Sequence, residues 1–126
     1  MTEYLDKVRD FQIAFDQIVN NTPAHLSIDE SNLRFDLAQE ELGEYFVATE
    51  DNDIVEILDS LVDQAYILFG TINAHGLQDH FIKAFELVHD NNMTKLDENG
   101  KVVKNSAGKV IKPSNYVPVD LRQLFE

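Results

Sequence analysis

The sequence predicts an all-α protein, a helical bundle of four main helices per chain that is completed by oligomerisation and followed by an irregular C-terminal arm with a short hairpin. Apolar residues recur with the helical period in four segments. Residue types that begin or end helices stand between these segments, and the links are short, as in helical bundles. At 126 residues the chain is long enough for one hydrophobic core.

The four helices are expected over residues 3–19, 28–49, 53–75 and 77–91. The first must stop before Pro23, because the residue before a proline is disfavoured in the helical region. The second has the clearest start, since Ser27 and Glu30 have the spacing of a capping box. Gly76 suits the position just after the third helix.

The organisation after the fourth helix changes. Residues 1–91 are expected to form the helical catalytic core, and residues 92–126 a basic arm of the same domain that covers the substrate. The segments 101–103 and 109–111 lie between turn signals and can pair as a short hairpin. A short final helix is expected at residues 120–125.

Charge is large and unevenly placed. The net charge of −13 opposes binding to a nucleic-acid polymer. Residues 29–63 hold 12 of the 23 carboxylates and one basic residue, Arg34, whereas residues 95–112 hold five of the ten basic residues. Such an acidic middle indicates a need for a cation, although an acidic soluble protein with a solvated tail would show the same composition.

Location is inferred from what the sequence lacks. There is no cysteine and no N-terminal signal-peptide pattern, so a cytoplasmic protein is expected. No run of 18 apolar residues is present, so no membrane association is expected.

Two helices carry the chemistry. On the second, a stripe from Phe35 through Leu42 and Phe46 reads as an ordinary core face, and a second row turns acidic at Glu41 and Glu44. The third helix is apolar around most of its circumference, which predicts burial. It carries one narrow polar stripe, made of Glu56, Asp59, Asp63, Tyr66, Gly70 and Asn73.

Acids on a buried helix need a counter-charge. Unpaired buried carboxylates are costly and raise one another's pKa, and the third helix contains no lysine or arginine. A hard divalent cation removes this cost, because Mg²⁺ prefers oxygen ligands. Spacing of three places Glu41 with Glu44, and Glu56 with Asp59, on one face of each helix. Asp63 is either a further ligand or a hydrogen-bond acceptor behind the ligands.

The same acidic pattern is compatible with two other kinds of protein. A non-enzymatic helical module could bind a divalent metal or a partner helix through the same acidic groove. A ferritin-like carboxylate bundle is disfavoured, because neither Glu41 nor Glu56 has a histidine three residues on.

The carboxylate motif also carries a family resemblance. Residues 40–44 and 56–59 are similar to the metal motif of the all-α nucleoside triphosphate pyrophosphohydrolases, which include MazG proteins, dimeric dUTPases and phosphoribosyl-ATP pyrophosphohydrolases. Residues 59–73 and the tail segments 92–95 and 112–118 resemble one MazG-like branch. The resemblance spans roughly residues 30–120.

This resemblance implies a reaction. A nucleoside triphosphate would be cleaved between its α and β phosphates, with Mg²⁺ as cofactor and Mn²⁺ as a substitute. Glu41, Glu44, Glu56 and Asp59 would hold metal. Glu40 would accept the proton of the attacking water, or would be a solvated helix residue.

Further residues are expected to bind the substrate. Lys95 and Lys112 of the arm are candidates for phosphate contacts, with Tyr116 beside the phosphates or the base, or these lysines are solvated charges. Asn92 belongs to the same tail motif. Tyr66 and Asn73 extend the polar stripe to where a ribose or base could lie, with buried structural hydrogen bonding as the rival explanation.

Assembly follows from the third helix. Four helices in about 90 residues cannot cover a helix that is apolar on nearly every side. We therefore expect a homodimer or homotetramer in which helices of two protomers complete one bundle.

Overall fold

The computed structural model describes residues 2–126, and it confirms the predicted all-α fold. Four α-helices follow one another along the chain: α1 (Thr2–Ala14), α2 (Ile28–Glu50), α3 (Ile54–Ala74) and α4 (Gln78–Met93). A 3₁₀ helix, Leu121–Phe125, comes last. None of the described helices is both long and apolar enough to cross a membrane.

The chain forms two compact units, which divide between Asp79 and His80. This division lies earlier in the sequence than the boundary expected after residue 91.

Side-chain caps fix where α2 and α3 begin. The Ser27 hydroxyl oxygen accepts a hydrogen bond from the Glu30 N–H at 3.1 Å. The Asp53 carboxylate accepts from the N–H groups of Val55 and Glu56 at 3.1 and 3.2 Å. Such caps satisfy N–H groups that have no partner within the helix, and each stabilises its helix by about 1 kcal/mol.

The end of α3 depends on a glycine. Gly76 has φ +67°, and its N–H and that of Leu77 donate to the carbonyls of Asn73 and Ile72 at 3.1 and 3.0 Å. This pair of bonds is the Schellman arrangement predicted for that position. A Cβ at Gly76 would lie 2.0 Å from the Thr22 carbonyl oxygen, so the close approach of that loop also requires glycine.

The first helix is shorter than expected, and the predicted extension to residue 19 is wrong. Asp16 takes the left-handed conformation, with φ +57°. The Gln17 N–H then donates to the Gln12 carbonyl at 2.8 Å and closes a Schellman motif. Asparagine and aspartate adopt this conformation more readily than other non-glycine residues, so no glycine marks the helix end.

The core of the first unit lies between α1 and α3. Leu5, Val8, Ile72 and Ala74 are buried, together with Ala48 of α2. Two buried polar side chains, Gln12 of α1 and Asn73 of α3, link the two helices by hydrogen bonds. The Asn73 amide donates to the Leu5 carbonyl and to the Gln12 side-chain oxygen, both at 3.0 Å.

The expectation that one stripe of α2 forms core is wrong for the single chain. The α2 stripe predicted to form core is exposed, by 64% at Phe35 and 62% at Phe46. The row that faces α3 is instead the one containing Leu37, Glu41 and Ala48, which are less exposed. The single chain also leaves part of the apolar circumference of α3 uncovered, as expected for four helices in about 90 residues, and Leu58 is 63% exposed.

The second unit contains most of α4 and the C-terminal segment. Isolated antiparallel bridges join Leu96 to Val102 and Lys104 to Val110. Val102 thus pairs with Leu96, whereas Val103 accepts a hydrogen bond from the Ile111 N–H at 2.8 Å. Residues 2–126 contain no strand, so the predicted hairpin is not shown. The predicted final helix is the 3₁₀ helix, and its Asp120 cap accepts from the Arg122 N–H at 3.0 Å.

Candidate metal centre and substrate site

A three-residue turn brings the acidic rows of α2 and α3 together. The Asp53 N–H donates to the Ala48 carbonyl at 3.2 Å, and Asn52 takes the left-handed conformation, with φ +52°. The chain therefore reverses at once, and α2 packs against α3.

Three carboxylates meet at this packing surface. Glu41 and Glu44 of α2 and Asp63 of α3 each offer an oxygen atom, and these atoms lie within 4.8 Å of one another. Glu41 and Asp63 are half-buried and Glu44 is exposed. We call these three residues the carboxylate triad.

The electrostatics of the triad are unfavourable without a cation. Burial raises the pKa of Glu41 to about 7, assisted by a hydrogen bond with Glu44 and by the charges of Glu44, Asp63 and Glu40. One oxygen of Glu41, Oε2, is buried and has no hydrogen-bond partner among the described residues. Like charges and an unsatisfied oxygen at one point are costly unless something positive offsets them.

The donor set fits a hard divalent cation. Clustered carboxylate oxygens, one of them buried without a partner, match the ligands that Mg²⁺ and Mn²⁺ prefer. The triad can therefore hold a divalent metal ion, as the sequence predicted for these three residues.

The other predicted acidic residues lie outside the triad. Glu40 and Glu56 line an open cleft of about 620 Å³, which Glu44 of the triad also lines. Glu56 and Asp59 are exposed, which corrects the expectation that the whole acidic stripe of α3 is buried. Both lie on the first half of α3, where the large apolar residues Ile54, Val55 and Leu58 are exposed as well.

Beyond the triad, Tyr66 and Asn73 of the polar stripe of α3 lie in different surroundings. Tyr66 lines the groove between α1 and α3 and contacts Phe11 edge to face, with ring centroids 5.4 Å apart. Asn73 is buried, and its hydrogen bonds to α1 occupy its amide. This geometry favours the structural explanation for Asn73 and leaves Tyr66 available to a ligand.

The arm residues predicted to bind phosphate converge within the second unit. The ammonium groups of Lys95 and Lys112 lie 5.9 and 5.1 Å from the centroid of the Tyr116 ring. The Tyr116 hydroxyl donates to the Asn91 side chain, whose amide donates to the Val117 carbonyl at 2.7 Å. We call Lys95, Lys112 and Tyr116 the lysine clasp.

Neither lysine of the clasp has an acidic partner. No carboxylate oxygen of residues 2–126 lies within 4.0 Å of either ammonium group. Asn92, the asparagine expected in the site, is exposed, and its neighbour Asn91 makes the side-chain bonds. The sequence contains both asparagines side by side, and only the direction of α4 distinguishes them.

One positively charged residue near the triad was not selected from the sequence as a site residue. Arg34 of α2 hydrogen-bonds to the Ile67 carbonyl and the Thr71 hydroxyl of α3 at 2.9 and 3.0 Å. Burial lowers the pKa of its guanidinium, while the charge of Glu30 opposes this shift. The sequence contained a pattern that could have indicated it, since Arg34 lies on the same row of α2 as Glu41.

Comparisons with known proteins agree with this geometry. The model of the phosphoribosyl-ATP pyrophosphohydrolase family matches residues 8–92, which include the whole triad. The chain is also 30% identical, over 102 residues, to an uncharacterized protein of Acanthamoeba polyphaga mimivirus. That alignment covers 78% of this chain and 41% of the viral protein, so this chain spans less than half the length of that relative.

Proposed function

The chain belongs to the phosphoribosyl-ATP pyrophosphohydrolase family, and on that premise we propose that it is a Mg²⁺-dependent nucleoside triphosphate pyrophosphohydrolase. It would convert a nucleoside or deoxynucleoside triphosphate to the monophosphate and pyrophosphate. The observation that carries the proposal is the carboxylate triad, because a family resemblance alone does not establish that ligands meet in space.

The metal would be held by the triad. Glu41, Glu44 and Asp63 supply the oxygens that already lie together. Glu56 lines the adjoining cleft and Asp59 lies one turn before Asp63, so both remain proposed ligands. When bound, Mg²⁺ would offset phosphate charge and lower the pKa of a water molecule.

The protein's own groups would carry out the proton transfer. Glu40 lines the same cleft as Glu44, and we assign it the role of accepting a proton from the attacking water. That water would form a bond to the α or the β phosphorus, and the bond from the same phosphorus to the bridging oxygen would break. The other phosphate group would leave with the bridging oxygen, which gives the monophosphate and pyrophosphate.

Positively charged residues would hold the remaining phosphate charge. Lys95 and Lys112 of the clasp have no carboxylate partner within 4.0 Å in the described chain. We assign them to the phosphates, with Tyr116 and Asn92 at the same part of the substrate. Tyr66 would contact the sugar or base.

The test is release of pyrophosphate from a panel of nucleoside and deoxynucleoside triphosphates and phosphoribosyl-ATP, with Mg²⁺ or Mn²⁺. Glu41→Gln should reduce kcat by several orders of magnitude, because an amide oxygen is a weaker ligand than a carboxylate. Glu86→Gln is the matched control, since Glu86 is an exposed carboxylate on α4. Near-wild-type kcat in Glu41→Gln would remove that residue from the ligand set.

The panel also separates the proposal from its alternative. If no nucleotide releases pyrophosphate but the protein still binds Mn²⁺ through Glu41, the non-enzymatic metal-binding module would be the better description.

A further inference from the structure

Arg34 faces the same side of α2 as the acidic ligands but lies apart from them. Its row continues through Leu37, Glu41 and Glu44, with spacings of three, four and three. Seven residues separate Arg34 from Glu41, which corresponds to about 10 Å along the helix axis. Arg34 is also the one basic residue of α2.

Some N–H groups of the Arg34 guanidinium have no acceptor among the described residues. Of its five N–H groups, one Nε–H donates to Thr71 and one terminal N–H donates to Ile67. No carboxylate oxygen in the described part of the chain lies within 4.0 Å of it, and Glu30 acts on it only through charge. The two bonds to α3 fix the plane of the guanidinium and leave three N–H groups for a ligand.

These donors border an aromatic pocket. Arg34 lines a cavity of about 230 Å³ together with Phe11, Leu37, Tyr66 and Ile67. This volume is below the roughly 300–1,000 Å³ of pockets that enclose a whole drug-sized ligand, so it suits one ring system better than a complete nucleotide.

One other polar side chain of the pocket, that of Gln12, is already committed. Gln12 donates to the Gly70 carbonyl at 2.9 Å and accepts from Asn73 at 3.0 Å. Gly70 provides the space for the guanidinium, since a Cβ there would lie 2.6 Å from a terminal nitrogen of Arg34. Arg34 is therefore the charged residue of this pocket, and it has N–H groups free for a ligand.

We propose that this pocket holds the base of the nucleotide, and that Arg34 selects bases with two adjacent hydrogen-bond acceptors, such as guanine, over adenine. The inference rests on the proposed function, because it takes the ligand to be a nucleotide whose phosphates lie at the triad. Guanine presents O6 and N7, both acceptors, to a guanidinium fork. Adenine presents N7 beside an amino group, and two donors then face each other.

Equilibrium binding of nucleoside monophosphates tests the proposal without requiring catalysis. We expect wild-type protein with Mn²⁺ to bind GMP about tenfold more tightly than AMP, as one good bidentate contact allows. IMP should bind like GMP, because hypoxanthine keeps O6 and N7 but lacks the 2-amino group. Equal affinity for GMP and AMP, or tighter binding of AMP, would overturn the proposal.

Variants locate the preference. Arg34→Met should abolish the GMP-to-AMP ratio, whereas Arg9→Met, at an arginine of α1 outside the pocket, should preserve it. If Arg34→Met does not fold, Gly70→Ala provides the second test. The added methyl group displaces the flexible end of Arg34 and should lower the same ratio. An unchanged ratio in a folded Arg34→Met or Gly70→Ala protein would contradict the assignment.

Pyrophosphate is the last probe. Arg34→Met should bind pyrophosphate as wild type does, because the phosphates are assigned to other groups. A loss of pyrophosphate affinity equal to the loss of GMP affinity would show that Arg34 holds phosphate instead of base. If the proposed enzymatic activity fails while GMP remains preferred over AMP, the pocket assignment survives as a binding property.

Discussion

At the scale of single residues, Glu41 of the triad is the group expected to make the stability of this protein depend on pH. Glu41 is the carboxyl group whose pKa departs most from its ordinary value in the acidic groove, rising from 4.5 to about 7 through burial first and through Glu44 second. Its buried oxygen has no hydrogen-bond partner among residues 2–126. The same features that suit a cation therefore destabilise the metal-free protein once Glu41 ionises.

This shift predicts a direction for the pH dependence of stability. Between 4.5 and about 7 the folded state holds the Glu41 proton more tightly than the unfolded state does. Its contribution to stability is thus complete below the unfolded pKa and is lost as the pH rises through the folded pKa. We expect Glu41→Gln to gain stability relative to wild type between about pH 5 and about pH 8 in chelator.

Urea unfolding of both proteins at these two pH values measures the effect. Addition of Mn²⁺ at the higher pH should reverse the order, because wild type then gains binding energy that the variant lacks. A difference between the two proteins that is the same at both pH values would exclude Glu41 as the titrating group.

At the scale of elements, the C-terminal segment differs from the helices in what holds it in place. Its bridges and turns are isolated, and large apolar residues such as Val102, Val110 and Val117 are exposed. Burial thus contributes little to its order, and its two clasp lysines are placed by Tyr116 and Asn91 rather than by a core. A segment with so few buried apolar contacts is expected to have low local stability.

The clasp gives a prediction about substrate affinity. Lys112→Ala should raise the KM for nucleotide several-fold and change kcat less, because a phosphate contact made throughout the reaction contributes mainly to binding. Lys109→Ala is the matched control, since it removes the same charge from the same segment but lies outside the clasp. Equal effects of the two substitutions would indicate general charge attraction rather than a defined contact.

At the scale of the whole molecule, the first unit exposes more apolar surface than a single chain usually does. Phe35, Leu42 and Phe46 of α2 are more than half exposed, as are Ile54 and Leu58 of α3. A helical face of this kind is typical of a surface that a second helix pair covers. Covering of this face by a second chain would explain why the α2 stripe, which was predicted to be core, is exposed in the single chain.

We therefore expect a homodimer or homotetramer that buries this face. Light scattering at micromolar concentration should give two or four times the chain mass of 14.4 kDa. Leu58→Glu should dissociate the assembly, because a charge at a buried interface is costly. Val117→Glu is the control, as it changes an equally exposed apolar residue of the second unit. A monomeric wild-type protein would contradict the prediction.

The sequence alone determined that the first unit is helical, where α2 and α3 begin, and which acidic residues are candidate ligands. Period, caps and glycines are local signals, so Ser27, Asp53 and Gly76 mark helix ends correctly. The left-handed Asp16 escaped prediction, because an aspartate in that conformation has no distinctive neighbour in the sequence.

Tertiary structure decided which of the predicted residues meet. Spacing along one helix places Glu41 with Glu44, but only the packing of α2 on α3 selects Asp63 as the third member rather than Asp59. Likewise, the sequence shows Arg34 only as an isolated charge. The packing of α3 places the Ile67 carbonyl as its hydrogen-bond acceptor and leaves room for its guanidinium beside Gly70. The physical reason is that helical periodicity specifies a face, whereas distances between side chains on different helices depend on how those helices pack.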